Sequence, residues 1–453
     1  MFGPEEYLFV VPVWGEEYVE RYVKLSLPSQ LSAGNLGAIP PGKGRYLIYT
    51  RKEHRRAIVR SAAYRRLREL VDTAIEYLDD LPDPRLSRGP HELQTAAYAR
   101  GIRAASGRDT AFVFMTPDTL FGDGTFRAMV RRAEEGKRCH LIASVRMLVD
   151  GAYSCLAHHR RPEHVEAAIP CRELVRAGLD NLHPISLGHV VENGRVRAFQ
   201  HLYHRVDSRG LLVRGFHLHP LLVWPRNPDA TIRNTLDDAY IERACPDPAD
   251  WYLSTDSDEM CVFEFSQAEH KPGMVGQNPL ADSELSRYLR QMTTEAHRRH
   301  VLERVRIHTG EVSEAEWAAL EPDSDALVQR LLQLHSRIPV EVVVAAPPPP
   351  APSPWSRVMK LATLPFRAIY RAVNFKLYRY TERLDAQART QQIVLDQVAK
   401  QLDHVSNLVT DLVNRVGSLE AEVVRAAAAA AHEAELRRRL AIRLRKARRS
   451  VIS

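Results

Sequence analysis

The sequence predicts an α/β fold in which a mostly parallel β-sheet is flanked by helices. Short apolar runs of β type alternate with amphipathic stretches of helical periodicity, beginning with the strand pattern Tyr7–Val13 and the helical pattern Glu16–Ser26. A third observation is the abrupt end of an apolar run, Ala111–Met115, in Thr-Pro-Asp. Alternating strands and helices indicate βαβ units, which build parallel sheets.

Each further element of this pattern follows from the same periodicities. Strands are predicted at Tyr46–Thr50, Cys139–Arg146, Val196–His204, Leu211–Val223 and Met260–Phe265. Helices are predicted at His54–Val71, Glu92–Ala105, Phe126–Gly136, Arg172–Leu179, Ser283–Thr309 and Ser313–Arg337. The last two are polar and are expected to pack on the sheet domain.

A proline-rich segment, AAPPPPAPSP at Ala345–Pro354, separates two physically different halves of the chain. Consecutive prolines favour an extended polyproline II spacer over a packed element. The predicted organisation consists of a sheet domain, a helical extension, a linker, a basic amphipathic helix and a coiled coil with a basic tail. Their bounds are 1–275, 276–340, 341–354, 355–380 and 381–449.

The basic amphipathic segment has apolar residues at helical spacing, from Phe366 to Tyr380, with arginines and lysines between them. Such a helix suits an anionic membrane surface. It equally suits a helix that packs on a partner chain and leaves its basic side in water. Both interpretations stay open.

The strongest periodic signal of the chain predicts a coiled coil through which the protein forms a homo-oligomer. Apolar residues recur with 3-4 spacing over about four heptads, which is the pattern of a left-handed supercoil. The mixture of residue types at these positions leaves dimer and trimer open. The seam consists of Leu395, Val398, Leu402, Val405, Val409, Leu412, Val416, Leu419 and Val423.

Charge and cysteine usage narrow the class of protein. The net charge of +7 comes from the C-terminal segments, because residues 1–354 carry 44 basic and 47 acidic side chains. Nucleic-acid binding is therefore the weakest hypothesis and is restricted to the basic tail, Arg437–Arg449. Five scattered cysteines, with no CxxC pair, indicate reduced thiols in a cytoplasmic protein. No signal peptide is expected, so the predicted location is the cytoplasm or the inner membrane face.

The segment Ala111–Gly124, AFVFMTPDTLFGDG, contains the principal site candidate. Asp118 follows a buried strand, and open α/β sheets bind ligands at the carboxyl ends of their strands. A carboxylate there can hold a divalent cation against a diphosphate. The alternative is that Asp118 caps the next helix or organises the turn.

Five strings of the first 265 residues carry a family resemblance. They are PVWGEEY (Pro12–Tyr18), LPSQLSAGNL (Leu27–Leu36), YLIYT (Tyr46–Thr50), TPDTLFGDGTF (Thr116–Phe126) and RGFHLHPLLVWP (Arg214–Pro225). These strings resemble bacterial glycosyltransferases of the GT-A, or nucleotide-diphosphosugar transferase, fold, which has a Rossmann-type sheet. The resemblance covers about residues 7–265.

The resemblance implies a nucleotide-sugar donor bound over the first strands and a hydroxyl acceptor such as a glycan. Pro12, Val13, Trp14 and Gly15 would border the nucleotide. Asp118 would stand in the family's metal-binding acidic motif and would hold Mn²⁺ or Mg²⁺. This sequence reads Pro-Asp-Thr where the family has two aspartates, so one carboxylate is missing. The neighbouring Asp123 is a candidate for the second oxygen.

Other candidates also have a structural alternative. Asp237 and Asp238 could act as the catalytic base, or they could be ordinary residues at a helix start. His217 and His219, expected on one face of a strand, could line the acceptor side or bind a metal.

Three charged residues complete the candidate set. Asp256 and Asp258 have the spacing of a metal-binding pair and could contact the acceptor or form a solvated turn. Arg146 could neutralise a phosphate or form a surface ion pair. Two functions remain in view. One is a coiled-coil-linked glycosyltransferase, and the other is a non-catalytic transferase-like recognition module on the same scaffold.

Overall fold

The computed structural model describes most of the first 336 residues. The described ranges are 3–80, 90–105, 108–161, 163–232, 235–237, 239–270, 275–276 and 278–336, with residues 433, 437 and 438. The chain divides into two units, Met1–Val340 and Glu341–Ser453. The predicted linker, basic amphipathic helix and nearly all of the predicted coiled coil lie outside the described residues. In the second unit, Glu433 pairs with Arg437 over one helical turn.

Thirteen strands form three sheets in the described part of the first unit. They are β1 (Glu6–Pro12), β2 (Gly44–Thr50), β3 (Asp72–Tyr77), β4 (Thr110–Phe114), β5 (Thr119–Phe121), β6 (Cys139–Ile142), β7 (Val145–Leu148), β8 (His201–Val206), β9 (Gly210–Gly215), β10 (His219–Val223), β11 (Trp251–Leu253), β12 (Val262–Ser266) and β13 (Val305–His308).

The helices lie between these strands and after them. They are α1 (Glu16–Arg21), α2 (Leu27–Gln30), α3 (Arg55–Arg60), α4 (Ala62–Leu70), α5 (Pro90–Ala104), α6 (Thr125–Glu134), α7 (Val149–His159), α8 (Cys171–Asp180), α9 (Pro184–Gly188), α10 (Tyr240–Ala244), α11 (Asp282–Met292), α12 (Glu295–His300) and α13 (Glu314–Ser336). A π-helical turn, Tyr22–Ser26, joins α1 to α2.

The main sheet has the strand order β11-β6-β10-β4-β1-β2-β3. Strands β4, β1, β2 and β3 are mutually parallel, whereas β10 runs antiparallel to both of its neighbours. The predicted α/β class with a mostly parallel sheet and flanking helices is therefore confirmed. Two three-stranded sheets accompany it, in the orders β5-β12-β7 and β13-β9-β8.

Strand β1 shows why the main sheet is buried on both faces. Its side chains alternate between two apolar cores: Leu8 and Val10 contribute to one, and Tyr7, Phe9 and Val11 to the other. Successive residues of a strand point to opposite faces, so a strand covered on both sides is apolar throughout. This explains the continuous apolar run that marks β1 in the sequence.

Several predicted elements have different bounds in the structure. The predicted strand Cys139–Arg146 is two strands, β6 and β7, because the chain crosses from the main sheet to the β5-β12-β7 sheet. The predicted strand Leu211–Val223 likewise divides into β9 and β10. His217 consequently lies between these strands while His219 begins β10, so the expectation that both belong to one strand is wrong.

Two further corrections concern the helices. The predicted helix His54–Val71 breaks at Ser61, whose hydroxyl caps α4 by accepting a hydrogen bond from the Tyr64 amide. The predicted helix Ser283–Thr309 contains α11 and α12 but ends in a strand, β13, which pairs with β9. Helical periodicity could not predict β13, because this strand depends on its pairing with β9.

Candidate functional site

A cleft of about 1040 Å³ opens where β1 and β4 end. Pro12 and Trp14 border it from the end of β1, and Thr116, Pro117 and Asp118 border it from the loop after β4. Pro117 restricts the backbone of the residue before it and has no amide hydrogen to donate, so the chain turns here instead of extending β4. The cleft thus lies at the carboxyl edge of the parallel strands, where ligands bind in such sheets.

Three charged side chains meet at the base of the cleft: Asp118, Arg146 and Glu264. Arg146 Nη1 lies 3.4 Å from Asp118 Oδ2, and Arg146 Nη2 donates to Glu264. The small sheet explains this meeting, because Glu264 on β12 is paired with Arg146 on β7 and with Thr119 on β5. We call these three residues the charged trio.

The charged trio is largely withdrawn from solvent, with side chains 13% exposed at Asp118, 17% at Arg146 and 27% at Glu264. Burial raises the pKa of the Asp118 carboxyl, the Arg146 guanidinium opposes this change, and Glu264 adds to it. Burial alone would lower the pKa of Arg146, but Glu264 and Asp118 outweigh it and raise that pKa. With both carboxylates ionised, the trio carries one net negative charge.

Arg146 is held by its backbone as well as by its side chain. Its amide donates to Ser186 Oγ at 2.9 Å, and the same hydroxyl donates to the Arg146 carbonyl at 2.8 Å. The amide of His183 donates to that carbonyl too. These bonds tie β7 to α9, so the guanidinium extends from a fixed point of the cleft wall.

The loop after β1 depends on glycine and histidine. Gly15 adopts φ +81°, a left-handed conformation that side chains disfavour. Its amide donates to His54 Nε2 at 3.0 Å, which connects this loop to the segment after β2. The neighbouring Trp14 lines the cleft, whereas Val13 is fully buried in the core.

Histidines make up an unusual share of the cleft wall. His219 Nε2 donates to the carbonyl of Phe114 at 3.0 Å, and His189 Nδ1 lies 3.1 Å from the carbonyl of His201. Burial lowers the pKa of His189 to about 4 and that of His201 well below its ordinary value, so both are neutral at pH 7. The histidines that line the cleft are His91, His189, His201, His217, His219, His270 and His297.

Asp237 lies on the cleft wall among these imidazoles. Its Oδ2 is 3.9 Å from His217 Nδ1, and its carbonyl accepts a hydrogen bond from His297 Nε2 at 2.7 Å. The rings of His217 and His297 are 4.3 Å apart between centroids. Its carboxylate is 45% exposed and can therefore meet a ligand. The adjacent Asp238 lies outside the described residues.

Asp256 and Asp258 do not line this cleft. Together with His308 they form a cluster whose donor atoms lie within 4.8 Å of one another. His308 Nδ1 accepts from the Gly310 amide, so Nε2 carries the proton that it donates to Asp256. Asp258 forms a bidentate pair with Arg172. These three residues remain a candidate metal site, in which Asp258 also pairs with Arg172.

The charged trio offers a second set of oxygen donors for a divalent cation, although its guanidinium contacts both carboxylates. Mg²⁺ and Mn²⁺ prefer oxygen donors, and the carboxylates of Asp118 and Glu264 both lie beside the Arg146 guanidinium. Through its contact with Arg146, Glu264 adds a carboxylate to this site that no local sequence pattern marks. The alternative donor, Asp123, instead accepts the Gly34 amide at 2.9 Å and does not line the cleft.

The structure therefore brings together Pro12, Trp14, Asp118, Arg146, His217, His219 and Asp237 of the predicted site residues. It places Val13 in the core and Gly15 beside the cleft as the conformational support of Trp14. Sequence reasoning missed Glu264 and most of the histidines. Only strand register joins Glu264 to Arg146, and the sequence has no local signal for it.

Comparison with solved structures finds likenesses to this chain, and the three described here are weak. No protein-family model and no curated protein matches the chain. Two crystal structures of Staphylococcus aureus TarS are 14% and 11% identical, with TM-scores of 0.23 and 0.33. The match to the first structure covers 31% of this chain and 22% of the TarS chain. The match to the second, TarS 1-349, covers 73% of this chain and 71% of the TarS chain.

A third likeness is to a Bacillus anthracis protein described as a glucose-1-phosphate thymidylyltransferase, solved in complex with sucrose. It is 14% identical, has a TM-score of 0.20 and covers 32% of this chain and 56% of that chain. At these TM-scores the likenesses carry no argument about function, which rests on the cleft itself. None of the described helices is long and apolar enough to cross a membrane.

Proposed function

We propose that this protein is a glycosyltransferase that takes a sugar from a nucleotide-sugar donor to a hydroxyl acceptor. The observation that carries the proposal is the charged trio at the base of a large cleft, at the carboxyl edge of parallel strands. The cleft volume of about 1040 Å³ suits a nucleotide-sugar together with part of an acceptor.

The donor is expected to lie across the ends of β1 and β4. Trp14 offers an aromatic face to the base or the sugar. Arg146 is the one lysine or arginine among the described residues of the cleft wall. In this proposal its guanidinium binds the diphosphate. A divalent cation held by Asp118 and Glu264 would, when bound, neutralise the charge of the departing nucleoside diphosphate.

Transfer requires a base for the acceptor hydroxyl. The hydroxyl oxygen attacks the anomeric carbon, the bond from that carbon to the diphosphate oxygen breaks, and its electron pair leaves with the nucleoside diphosphate. Asp237 receives the hydroxyl proton in this proposal, because it is the exposed carboxylate on the wall apart from the charged trio. The neutral imidazoles can both donate and accept hydrogen bonds with sugar hydroxyls.

A binding and hydrolysis experiment tests the proposal. The full chain is titrated calorimetrically with UDP-, GDP-, CDP- and dTDP-sugars, with and without Mn²⁺, and release of nucleoside diphosphate is then followed. Asp118→Asn is expected to weaken donor binding at least tenfold, because it removes one of two cation-holding carboxylates. Asp229→Asn is the matched control, since Asp229 is an exposed carboxylate that does not line the cleft.

The outcomes separate the two functions that the sequence leaves open. Donor binding with diphosphate release that Asp237→Asn abolishes supports the transferase. Donor binding without release, in the presence of sugar acceptors, indicates the recognition module. No binding of any nucleotide-sugar would overturn both the donor assignment and the transferase.

A further inference from the structure

Positive charge is concentrated on one surface segment of the first unit. Residues 51–70 carry eight basic and two acidic side chains, whereas the rest of residues 1–354 carries 36 basic and 45 acidic ones. None of the basic residues of this segment lines the cleft. The segment therefore has a charge opposite to that of the rest of residues 1–354, and the proposed transferase does not explain it.

Helices α3 and α4 explain how this charge reaches the surface. They bury Ile58, Ala63, Tyr64 and Leu67 against the sheet domain. Five arginines of the two helices are exposed, and we call this set the arginine face. Its members are Arg55, Arg56, Arg60, Arg65 and Arg68.

The basic residues of this segment differ in whether they form ion pairs. Those outside the arginine face are paired: Arg51 with Asp79, Lys52 with Asp80 and Arg66 with Glu69. In the described part of the chain, no carboxylate lies within 4 Å of a guanidinium of the arginine face. Arg56 and Arg60 are one helical turn apart, and like charges at that spacing repel each other. An anionic partner would relieve this repulsion.

The acidic residues of the neighbouring helix do not supply that partner. Helix α1 packs beside α3 and carries Glu16, Glu17 and Glu20, and none of these forms an ion pair with the arginine face. Glu17 pairs with Arg21, and Glu20 pairs with Lys24, within their own helical segment. The charge of the arginine face is therefore available to a ligand from outside the molecule.

We propose that the arginine face binds the phosphate headgroups of an anionic lipid bilayer. Clusters of four to eight basic residues bind such surfaces electrostatically, and the guanidinium fork matches phosphate oxygens. Single-stranded nucleic acid is disfavoured, because its binding surfaces add aromatic rings on which bases stack. The aromatic residue of this helix pair, Tyr64, is buried.

The position of the arginine face determines where a bound bilayer would lie relative to the cleft. His54, the residue before α3, holds the Gly15 amide, and Trp14 beside it lines the cleft. A bilayer bound through α3 would therefore lie near the β1 rim of the cleft. The lipid binding itself does not depend on the transferase proposal.

Vesicle co-sedimentation of the full chain tests the inference. Phosphatidylcholine vesicles with and without phosphatidylglycerol are compared at low and high salt. The test variant is Arg56→Gln/Arg60→Gln/Arg68→Gln. The matched control, Arg103→Gln/Arg127→Gln/Arg160→Gln, removes the same charge from exposed arginines elsewhere. Circular dichroism and thermal melting confirm that both variants fold.

Each basic residue near an anionic surface strengthens binding roughly fivefold, so we expect the test variant to bind anionic vesicles about 10-fold to 100-fold more weakly. The control should stay within about twofold if the effect is local, as electrostatics beyond a Debye length are screened. Hydrogen exchange should slow in residues 55–70 when anionic vesicles are added. The inference would be overturned if the two variants bound anionic vesicles equally. It would also be overturned if single-stranded DNA bound the protein in competition with the vesicles more strongly than they do.

Discussion

At the residue scale, the charged trio has two carboxylates but only one guanidinium to balance them. Arg146 neutralises only one of the two negative charges, and Asp118 is the more buried carboxylate. Burial raises the pKa of Asp118, which means that folding disfavours its ionised form. Such an arrangement costs stability in the free protein and suits a site that awaits a cation.

We therefore predict that Asp118→Asn stabilises the fold while it weakens donor binding. At pH 7 the gain should be about 1 kcal/mol in the free energy of unfolding, as is common when a functional charge is removed. Because the folded pKa of Asp118 lies above its unfolded value, ionisation destabilises wild type above the folded pKa. The gain should consequently shrink as the pH falls through that pKa. Urea unfolding of both proteins between pH 3 and 7 measures it.

An acidic residue outside the cleft provides a control of opposite sign. Asp258 pairs with Arg172 on the surface and is 37% exposed. Asp258→Asn should lose a few tenths of a kcal/mol, roughly the value of an exposed ion pair. If Asp118→Asn instead destabilises the protein at pH 7, the ionised carboxylate supports the fold and the argument from burial fails.

Individual site residues could be predicted from the sequence where a pattern of neighbouring residues marks them. Asp118 follows an apolar run and a proline, and Trp14 follows the first strand, so both could be placed at the sheet edge from the sequence. Glu264 could not, because its partner Arg146 is 118 positions away and is joined to it only by the register of β7 and β12. The cleft histidines come from separate segments for the same reason.

At the scale of an element, the loop between β1 and α1 depends on the conformational freedom of Gly15. Its φ of +81° disfavours any residue with a Cβ atom, although a Cβ there would meet nothing closer than 3.9 Å. We predict that Gly15→Ala costs about 1 kcal/mol through backbone strain. It should also weaken nucleotide-sugar binding, because Trp14 is the adjacent residue.

Gly42 offers a matched control for this variant. It has φ +77° and no atom within 4 Å of an added Cβ, and it does not line the cleft. Gly42→Ala should therefore lose about the same stability in thermal melts and leave nucleotide-sugar binding unchanged. Equal loss of binding in both variants would show that general destabilisation, not the position of Trp14, limits the ligand.

Helix α8 supports the strand that carries Glu264. A methyl group on Gly178 would overlap the ring of Phe263, the residue before Glu264 on β12. We predict that Gly178→Ala costs about 1–3 kcal/mol, the usual range for overpacking. Phe263→Leu should recover part of that loss in the double variant, a coupling that a double-mutant cycle in urea measures. Additive losses would mean that the two residues do not share this contact.

Strands of the main sheet that are buried on both faces were predicted well from the sequence. Segments in which the chain crosses from one sheet to another were not. Strand β1 reads as one apolar run because both of its faces are covered. The division of 139–146 into β6 and β7 leaves no such trace, since both pieces are apolar and lie in different sheets. The strand β3 was missed because only every second residue of it is partly buried.

At the scale of the whole molecule, the heptad seam from Leu395 to Val423 stays a prediction, because it lies outside the described residues. A single helix cannot bury such a seam, so we expect the full chain to self-associate. Leu402→Asp/Leu412→Asp places charges at an a and a d position and should yield monomers in analytical ultracentrifugation.

The seam also offers its own control, since Asn407 and Asn414 both occupy f positions on the outer side of the helix. Asn407→Asp/Asn414→Asp adds the same two negative charges, yet it should keep the oligomer because f positions remain in water. Dissociation by both variants would attribute assembly to charge instead of seam packing. Retention of the oligomer by the seam variant would show that another surface holds the copies together. If the seam variant dissociates and the f-position variant does not, the coiled coil is what joins several clefts in one assembly.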